Sequence, residues 1–563
     1  MPEEIVVRSF LIDSNRAAVP GAVRVSYETR DGVADDGALA SAHPPMMAPN
    51  HSCIYGDNQD GLGSDTEFMG NAVRITRRSD GDVLVQTSLS GFPPVYQFQQ
   101  DDRLIIAPTI AAISDAAGAA LAYSMRGVAE WIHIGQPIGH RTHFEHVTVM
   151  PAGMVTRVSP GGKATAVRTW SSPREPRFRS MPEYLEAQST ALAQAVERMD
   201  TGRSFLSLTA GLDTRAVLAM LVRAGRMVPG VTISGVDDSL DARRARQLCK
   251  ALGVEHRIMR PDQAFFDRID TLTEETVRRS GGLAGIEQAL EVHMYRQLGG
   301  AFDSRLSGNL GNQVGRSGTE GTGMRRLSPA WFRREVVEAL RSLPTAHWHQ
   351  QIAATGEPDA LELVQLESLF ASLGNASLGS SLATQQTPYA DRTLIANKLR
   401  EPVMPTPARG ARTRDLMHRF LGEPATRSFQ RKAVIDVGGP VARIPLNWGS
   451  IPTGGLSLTA ALTGFGAGLD TVLATESGPL RRLAPLRHFT GIRGLSGFRS
   501  EPLWTNHRCR AFILDTLRDA TLGGDALLDA TAVGTLLRSG AETDMRTASQ
   551  LLTLVLTQRA FGG

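Results

Sequence analysis

The segment from residue 183 to residue 259 alternates between helix and strand patterns, and this alternation restricts the fold more than any other feature. EYLEAQSTALAQAVERM has the spacing of an amphipathic helix, and SFLSLTA after it is a short apolar strand. A second helix is predicted for TRAVLAMLVRAG, and a second strand for MVPGVTIS. A third helix is then predicted for SLDARRARQLCKALG, and a third strand for VEHRIM. Strands that alternate with helices form a parallel sheet with helices on both faces. The sequence therefore predicts a doubly wound α/β domain.

The residues before this segment predict a different, β-rich unit. AVRITRR and DVLVQTSLS are short alternating runs separated by polar turns, and RLIIAP is a further apolar strand. Three prolines among basic and polar residues in Ser171–Pro182 are typical of a linker. A chain of 563 residues is long enough for about two to four domains. We therefore expect a β-rich domain over 1–172, a linker over 173–182, and an α/β domain with helical additions over 183–563.

The charge balance and the cysteine content exclude several classes of protein. Lys and Arg total 60 and Asp and Glu total 57, so the net charge of +3 lacks the basic excess typical of nucleic-acid binders. Three cysteines, far apart, form neither a CxxC pair nor a disulfide framework, which fits a reducing compartment. The first ten residues, MPEEIVVRSF, lack the apolar run of a signal peptide, and no stretch predicts a membrane span. We expect a cytoplasmic protein that binds neither nucleic acid nor membrane.

The most informative segment for function is SLTAGLDTR, Ser207–Arg215, where a strand runs through a turn of small residues into a helix. Such a turn directs backbone N–H groups outward at the positive end of the helix, a geometry that binds phosphate or pyrophosphate. Gly211 permits a tight turn, and Thr209 and Thr214 add hydroxyl donors. Asp213 would repel a phosphate unless a Mg²⁺ lies between them. An ordinary turn with Asp213 capping the helix is the competing interpretation, and the loop alone does not decide between them.

This loop resembles the Ser-Gly-Gly-Leu-Asp-Ser pyrophosphate loop of the asparagine synthetase family, and other segments follow in the family's order. SGVDDSLDARRARQLCKALGVEHR is similar to the family's next strand and helix, and LSGNLGNQVGR to its Leu-Ser-Gly-Asp-Gly-Ala-Asp-Glu segment. TPYADRTLIA resembles the Pro-Phe-Leu-Asp segment, and SFQRKAVIDVGGP the Arg-x-Lys segment. GFPPVYQFQQDDRLIIAP and GQPIGHRTHFEHVTVMPAGMVTRV are similar to two segments of the family's N-terminal domain. No single motif is specific, but the ordered set covers most of residues 70–440.

The resemblance implies an N-terminal Ntn-type sandwich, glutaminase-like, joined to an ATP-pyrophosphatase α/β domain. It implies that ATP activates a carboxylate as an acyl-adenylate with release of pyrophosphate, and that an amine then attacks to form an amide. ATP and Mg²⁺ are the implied cofactors, with Asp213 and Asn312 as the implied metal ligands. The implied nucleotide-binding residues are Ser207, Thr209, Ala210, Gly211, Leu212, Asp213, Thr214, Ser234, Gly308 and Asn309.

Some departures from the family pattern reduce the number of candidate functions. Pro2 stands where glutamine-hydrolysing members carry their catalytic Cys, so we expect no glutaminase activity and interpret the first domain as a scaffold. Asn309 and Thr384 stand where β-lactam synthetases carry a Tyr and a Glu. Macrolactam formation in a ribosomal peptide of the lasso type is therefore the specific hypothesis. Its partners would be a peptide or small-molecule substrate with a carboxylate and an amine, and a protein that processes the leader peptide.

Other departures leave a second class of function open. Asn312 and Gln313 stand where the family has its second pair of acidic residues, and an amide can ligate Mg²⁺ but brings no negative charge. Thr384 and Gln386 stand in place of the family's Glu-x-Arg. The alternatives are a divergent enzyme that acts on a small-molecule or natural-product substrate, and a non-catalytic member that binds nucleotide or a partner.

Lys432 is the candidate catalytic residue, because it falls at the position of the family's active-site lysine. The other lysines of the chain are Lys163, Lys250 and Lys398, so a lysine in this segment is less expected by chance than in a lysine-rich chain. Its ammonium is predicted to stabilise the oxyanion and the leaving AMP as the tetrahedral intermediate forms. The competing interpretation is a surface lysine whose stem packs along apolar neighbours.

His140, His143 and His146 follow one another at intervals of three residues in GHRTHFEH. Three histidines can bind a metal ion, but this spacing does not place them on one face of a strand. We therefore interpret the segment as a solvated loop.

Overall fold

The computed structural model describes most of the two predicted units. The described residues are 5–13, 24–29, 52–57, 71–134, 136–168, 176–235, 239–315, 334, 337–338, 373–402, 429–446, 451–453, 503, 505–520, 528–529, 531, 533–535 and 542–562. Part of the predicted linker, 173–175, lies outside them. The first helix of the predicted α/β unit begins after Ser180, whose hydroxyl accepts a hydrogen bond from Glu183 N.

Ten of the described strands form one sheet in the first part of the chain. They are β1 Ile5–Asp13, β2 Arg24–Thr29, β3 Ser52–Asp57, β4 Asn71–Arg77, β5 Val83–Gln86, β6 Tyr96–Gln100, β7 Arg103–Ala107, β8 Val147–Val149, β9 Met154–Val158 and β10 Ala164–Arg168. The strand order is β10-β9-β5-β4-β3-β1-β7-β6-β8, and β2 pairs with β1 outside this path. The pair of β1 with β3 is parallel, and the other pairs are antiparallel.

A bent two-strand ribbon connects the two ends of this strand order. β5 pairs with β9 near one end, and β6 pairs with β8 at the other end. Along the chain, β5 continues through 87–95 into β6, and β8 continues through 150–153 into β9. The connecting segments are themselves hydrogen-bonded, Thr87 N to Met154 O and Met150 N to Val95 O. The sheet therefore curves back on itself, which agrees with a β-rich unit, while the Ntn-type sandwich stays a prediction.

The helices are concentrated in the second part of the chain. They are α1 Ile110–Ala117, α2 Met125–Ile134, α3 Met181–Arg198, α4 Leu212–Arg223, α5 Leu240–Leu252, α6 Gln263–Asp267, α7 Ile269–Ser280, α8 Ala289–Leu298, α9 Gly311–Gly315, α10 Arg392–Leu399, α11 Phe429–Val437, α12 Gly439–Arg443, α13 His507–Ala520 and α14 Glu542–Phe561. Single helical turns cover Ile286–Gln288 and Pro388–Ala390, and residues 373–382 are also helical. Within the described part of the chain, no helix combines the length and the apolar character that crossing a bilayer requires.

Five strands form a second sheet in which every pair is parallel. They are β11 Ser204–Ser207, β12 Gly230–Ile233, β13 His256–Met259, β14 Ser304–Leu306 and β15 Thr384–Gln386. The strand order is β13-β12-β11-β14-β15. Three of these strands are the ones predicted from the alternating pattern, so the prediction of a parallel α/β unit is confirmed.

Helices cover both faces of the second sheet because successive strand residues point to opposite sides. Leu206 and Leu306 belong to the apolar core formed with α3, α4 and α11. Phe205 and Val231 face the other side and pack against Met294 of α8. The sheet is therefore buried on both faces, as expected of a parallel sheet.

A large apolar core joins the two parts of the chain. It contains Ile105 of β7, Ile113 of α1, Val277 of α7, Ile513 of α13 and Leu552 of α14, all fully buried. Residues predicted to belong to separate domains therefore share one core. The boundaries at 172 and 183 stay predictions.

Candidate functional site

The strand order of the second sheet places a crevice between β11 and β14. From β11 the chain proceeds to β12 and β13 on one side, and it then returns to β14 and β15 on the other side. In open parallel sheets, ligands bind at such a reversal, outside the carboxyl ends of the two central strands. The segments that follow these strands, with the helix starts that continue them, 208–214 and 307–311, are the two walls of this crevice.

The wall after β11 is held by its own hydrogen bonds. Thr209 N donates to Thr214 Oγ1 at 3.2 Å, and Gly211 N donates to Thr209 Oγ1 at 3.2 Å. Ala210 N donates to Asp241 Oδ1 at 2.7 Å, which ties the loop to the first turn of α5. These three amides therefore have acceptors within the protein in this structure, and their role in binding phosphate stays a prediction.

The start of α4 has backbone N–H groups in a geometry that can bind an anion. Its N-cap residue is Gly211, and no side chain caps the helix. The N–H groups of Leu212, Asp213 and Thr214 have no acceptor within the helix, because the first turn lacks a preceding turn. Donors of this kind at the positive end of a helix attract a phosphate.

The wall after β14 approaches α4 closely. A Cβ atom on Gly308 would lie 2.9 Å from Thr214 N, and one on Gly311 would lie 2.7 Å from Asp213 Cγ. Glycine is therefore required at both positions. Leu310 between them has φ +66°, a left-handed conformation that costs an L-residue roughly 1–2 kcal/mol. Strain of this kind is concentrated at functional sites, because the surroundings must hold it in place.

Asp213 is fixed from three directions. Tyr389 OH donates to the backbone oxygen of Asp213 at 2.9 Å, and Gln430 Nε2 lies 3.3 Å from its Oδ1. Burial, and after it the negative charge of Asp213, raise the pKa of Tyr389 well above its ordinary value, so this hydroxyl stays protonated and donates. Gly311 presses against the Asp213 side chain from the other wall. The carboxylate is therefore held in a defined place at the mouth of the crevice.

Asn309 and Gly308 lie on the second wall, and their role in nucleotide binding stays a prediction. The backbone oxygen of Asn309 accepts a hydrogen bond from Thr387 Oγ1 at 2.6 Å, so the segment after β15 supports this wall. Asn309 N lies 3.4 Å from Ser307 Oγ. Both residues are half-buried.

Lys432 is not directed at Asp213. Its Nζ lies 2.6 Å from Asp436 Oδ2 and 2.9 Å from Glu186 Oε2 of α3. Hydrogen bonds to Asp436 and then to Glu186 raise its pKa above the ordinary value. Residues two apart on a helix project about 200° apart, and Gln430 is the one that reaches the crevice. The structure therefore brings Gln430, and not Lys432, to Asp213.

The predicted second metal ligand is at the edge of the site. Asn312 is exposed on α9, whereas its neighbour Gln313 is buried. Among the described residues, no group of three or more His, Cys, Asp or Glu side chains could hold a metal ion. A Mg²⁺ bound to ATP, however, needs only one or two carboxylates besides phosphates and waters. The donor set around Asp213 fits such an ion and does not fit a resident metal centre.

Three further residues singled out from the sequence have supporting positions. Ser234 is fully buried, and its Oγ donates to the Oγ of Ser239, the N-cap residue of α5, at 2.8 Å. Thr384 starts β15 opposite Ser304, away from the carboxyl edge. Gln386 donates to Ser304 Oγ at 2.7 Å. None of these contacts points into the crevice.

A buried charge pair that was not predicted from the sequence lies beneath the crevice. Arg305 of β14 forms an ion pair with Glu291 of α8, and its Nη2 donates to Ser207 Oγ at 3.0 Å. Burial is the largest effect and lowers the pKa of Arg305, but the charges and hydrogen bonds of Glu291 and Tyr295 together outweigh it, so the pKa is raised. The sequence did contain one signal of this pair, an arginine in the middle of the short strand SRL. Charged residues in buried strands need a partner.

The prediction of a solvated loop is wrong for His143, whereas His146 is exposed and His140 is half-buried. His143 is fully buried, with Nε2 3.1 Å from Gly282 O and its ring 5.8 Å from the Trp131 ring. Short antiparallel bridges, Tyr123 with Phe144 and Arg141 with Thr148, hold the segment in place.

Comparisons with known proteins add little to this geometry. No protein-family model matches the chain, and no curated protein matches it. Among solved structures, it is similar to a glutamine phosphoribosylpyrophosphate amidotransferase from B. subtilis complexed with ADP and GMP, at 11% identity over 46% of this chain and 64% of that chain, with a TM-score of 0.16. It is also similar to an allosteric regulatory enzyme of purine biosynthesis, at 9% identity over 44% of this chain and 74% of that chain, with a TM-score of 0.17. At such TM-scores the likeness supports no conclusion about fold or activity, and the asparagine synthetase-like family is not confirmed.

Proposed function

We propose that the chain is an ATP-dependent ligase that forms a carbon–nitrogen bond through an acyl-adenylate. The observation that carries the proposal is the uncapped start of α4, with Asp213 in its first turn, at the reversal point between β11 and β14. This is the place where an open parallel sheet binds ligands, and the helix start supplies the donors that a phosphate chain requires.

The chemistry assigns separate roles to the residues of the crevice. The backbone N–H groups at the start of α4 would bind the β- and γ-phosphates, which leave together as pyrophosphate. A carboxylate oxygen of the substrate attacks the α-phosphorus, and the bond from that phosphorus to the β-phosphate oxygen breaks. The amine nitrogen then attacks the acyl carbon, AMP leaves, and the amine loses a proton. A bound Mg²⁺ would screen the phosphates from Asp213.

The narrower proposal is macrolactam formation in a ribosomal peptide of the lasso type. Its support comes from the sequence, because Asn309 and Thr384 do not match the β-lactam-forming pattern. An amine within the substrate would then replace ammonia. A leader-peptide-processing protein would be the partner under this proposal.

A non-catalytic nucleotide-binding role is the second candidate, and the ion pairs of Lys432 favour it. An ammonium that is held by Glu186 and Asp436 must leave both carboxylates before it can stabilise an oxyanion. Asn312 contributes no charge to a metal site either.

Calorimetric titration of the full chain with ATP and Mg²⁺ tests the nucleotide site. We expect saturable binding that weakens at least about tenfold in Asp213→Asn, because a carboxylate ligand of the Mg²⁺ is lost. Asp270→Asn is the matched control, since Asp270 lies in the first turn of α7, away from the crevice. Absence of binding by the unmodified chain at millimolar ATP would overturn the proposal.

Lys432→Ala separates binding from chemistry. The variant should bind ATP with Mg²⁺ as the unmodified chain does, because Lys432 does not contact the crevice. Incubation with ATP, Mg²⁺ and a candidate precursor peptide should release pyrophosphate and remove one water from the peptide. If Lys432 is catalytic, amide formation is abolished in the variant, and normal turnover would show that the lysine has no catalytic role.

A further inference from the structure

Gln430 bridges the two walls of the crevice from α11. Its side chain is 1% exposed, and Nε2 lies 2.8 Å from Gly311 O and 3.3 Å from Asp213 Oδ1. Gly311 belongs to the wall after β14, whereas Asp213 belongs to the start of α4. The Gln430 carboxamide therefore connects the backbone of one wall with the carboxylate of the other.

The residues around Gln430 confine its carboxamide to one position. A Cβ atom on Gly315 would lie 1.8 Å from Gln430 Nε2, and one on Gly311 would lie 2.7 Å from Asp213 Cγ. Both distances are far below van der Waals contact, so two glycines of α9 make the space that Gln430 and Asp213 fill. Side chains that are confined in this way hold a functional group in a fixed orientation.

The charge of the bridging group matters as much as its position. An amide donates a hydrogen bond to a carboxylate without adding positive charge. A lysine at the same place would form an ion pair with Asp213 and would compete with a cation for it. A glutamine therefore orients Asp213 and preserves its charge for a divalent ion.

We infer that Gln430 is a positioning residue that aims the Asp213 carboxylate at the Mg²⁺ of bound ATP. The inference rests on the proposed nucleotide site. It assigns to Gln430 no contact with the reacting atoms, and its effect is exerted through Asp213. Removal of Gln430 should therefore change the contribution of Mg²⁺ to ATP affinity rather than ATP affinity in general.

Calorimetric titration of the full chain with ATP, in the presence of Mg²⁺ and in the presence of a chelator, tests the inference. Gln430→Met should weaken binding of ATP with Mg²⁺ at least about tenfold, the size expected for loss of a hydrogen bond to a charged group, and leave binding without Mg²⁺ unchanged. Gln188→Met is the matched control, because Gln188 is also fully buried and donates at 3.2 Å to Tyr184 OH and to Leu394 O, away from the crevice.

A second variant keeps the test decisive if Gln430→Met does not fold. Gln430→Lys places an ammonium beside Asp213, so ATP binding without Mg²⁺ should strengthen and the benefit of adding Mg²⁺ should shrink several-fold. The inference is overturned if a folded Gln430 variant keeps the Mg²⁺ dependence of the unmodified chain. If the unmodified chain binds no ATP, the proposed function fails, and the role of Gln430 fails with it.

Discussion

At the residue scale, His143 couples the two parts of the chain through a buried imidazole. Because Gly282 O can only accept a hydrogen bond, Nε2 carries the proton, and Nδ1 is buried without a hydrogen-bond partner among the described residues. Burial lowers the pKa of His143 from 6.5 to about 4, although the hydrogen bond to Gly282 partly opposes this shift. The native chain therefore keeps this ring neutral at a pH at which the unfolded chain protonates it.

The free energy of unfolding should consequently fall as the pH falls from 6.5 towards 4. Below pH 6.5 the unfolded state binds a proton that the native state does not, so the native state loses stability, and the loss from this residue between pH 7.5 and 5 is about 2 kcal/mol. In His143→Gln this part of the pH dependence should disappear from urea unfolding curves measured at the two pH values. A variant with the same pH dependence as the unmodified chain would contradict the assignment. His256→Gln is the comparison variant. The ring of His256 is less buried than that of His143, and burial lowers the pKa of His256 to about 4 as well.

The sequence predicted some individual residues of the site well and others not at all. Asp213 follows a strand and a turn within nine residues, so local pattern was sufficient to place it. Gln430 lies 217 positions away from Asp213, and nothing in the intervening sequence indicates the contact. Lys432 was selected from a similar motif, but helix periodicity directs Gln430, two positions earlier, to the crevice instead.

At the scale of elements, strand and helix patterns predicted the parallel sheet because each unit is local. SLDARRARQLCKALG forms α5, begun by Ser239 and ended by Gly253 at φ +68°, as the terminal glycine indicates. The curved first sheet was not predictable in the same way. Its bent ribbon pairs 87–95 with 150–153, and the pairing of such distant segments depends on register rather than on local composition.

The contact of α14 with the turn at Ile286–Gln288 provides a test at the scale of one element. Thr553 Oγ1 of α14 accepts a hydrogen bond from the fully buried Ile286 N at 3.1 Å. Thr553→Val keeps the shape but leaves that N–H without its acceptor, so thermal or urea unfolding should show a loss of about 1–3 kcal/mol. Thr273→Val is the control, because the hydroxyl of Thr273 only donates to carbonyls of its own helix, α7. Equal losses in both variants would contradict the role of the bond.

At the scale of the whole molecule, the shared core makes the two predicted units interdependent. Helices α7, α13 and α14 belong to the second part of the chain, yet they share one apolar core with β7 and α1 of the first part. Within this core α7 packs on α1, and α13 and α14 pack on α7. The bend of the first sheet also contributes Leu89 and Phe92 to the core beneath α3. Composition and the proline-rich segment indicated two units, but the apolar faces that join them are separated by hundreds of residues and carry no local signal.

Calorimetric unfolding of the full chain should therefore show one cooperative transition. Removal of residues 1–182 would expose the apolar faces of α7 and α14, so the remaining fragment should bind a hydrophobic dye and lack a cooperative transition. Two well-separated transitions in the full chain, or a fragment with a sharp transition of its own, would show that the shared core does not couple the units.

The same packing has a consequence for synthesis on the ribosome. Tyr123 lies against Leu554 of α14, 431 positions later in the chain. At about 5–20 residues per second, roughly 20–90 s separate the appearance of these two residues. During that interval the apolar side of α1 and its sheet is made before the helices that cover it. The nascent chain therefore exposes this apolar surface until α14 has been made.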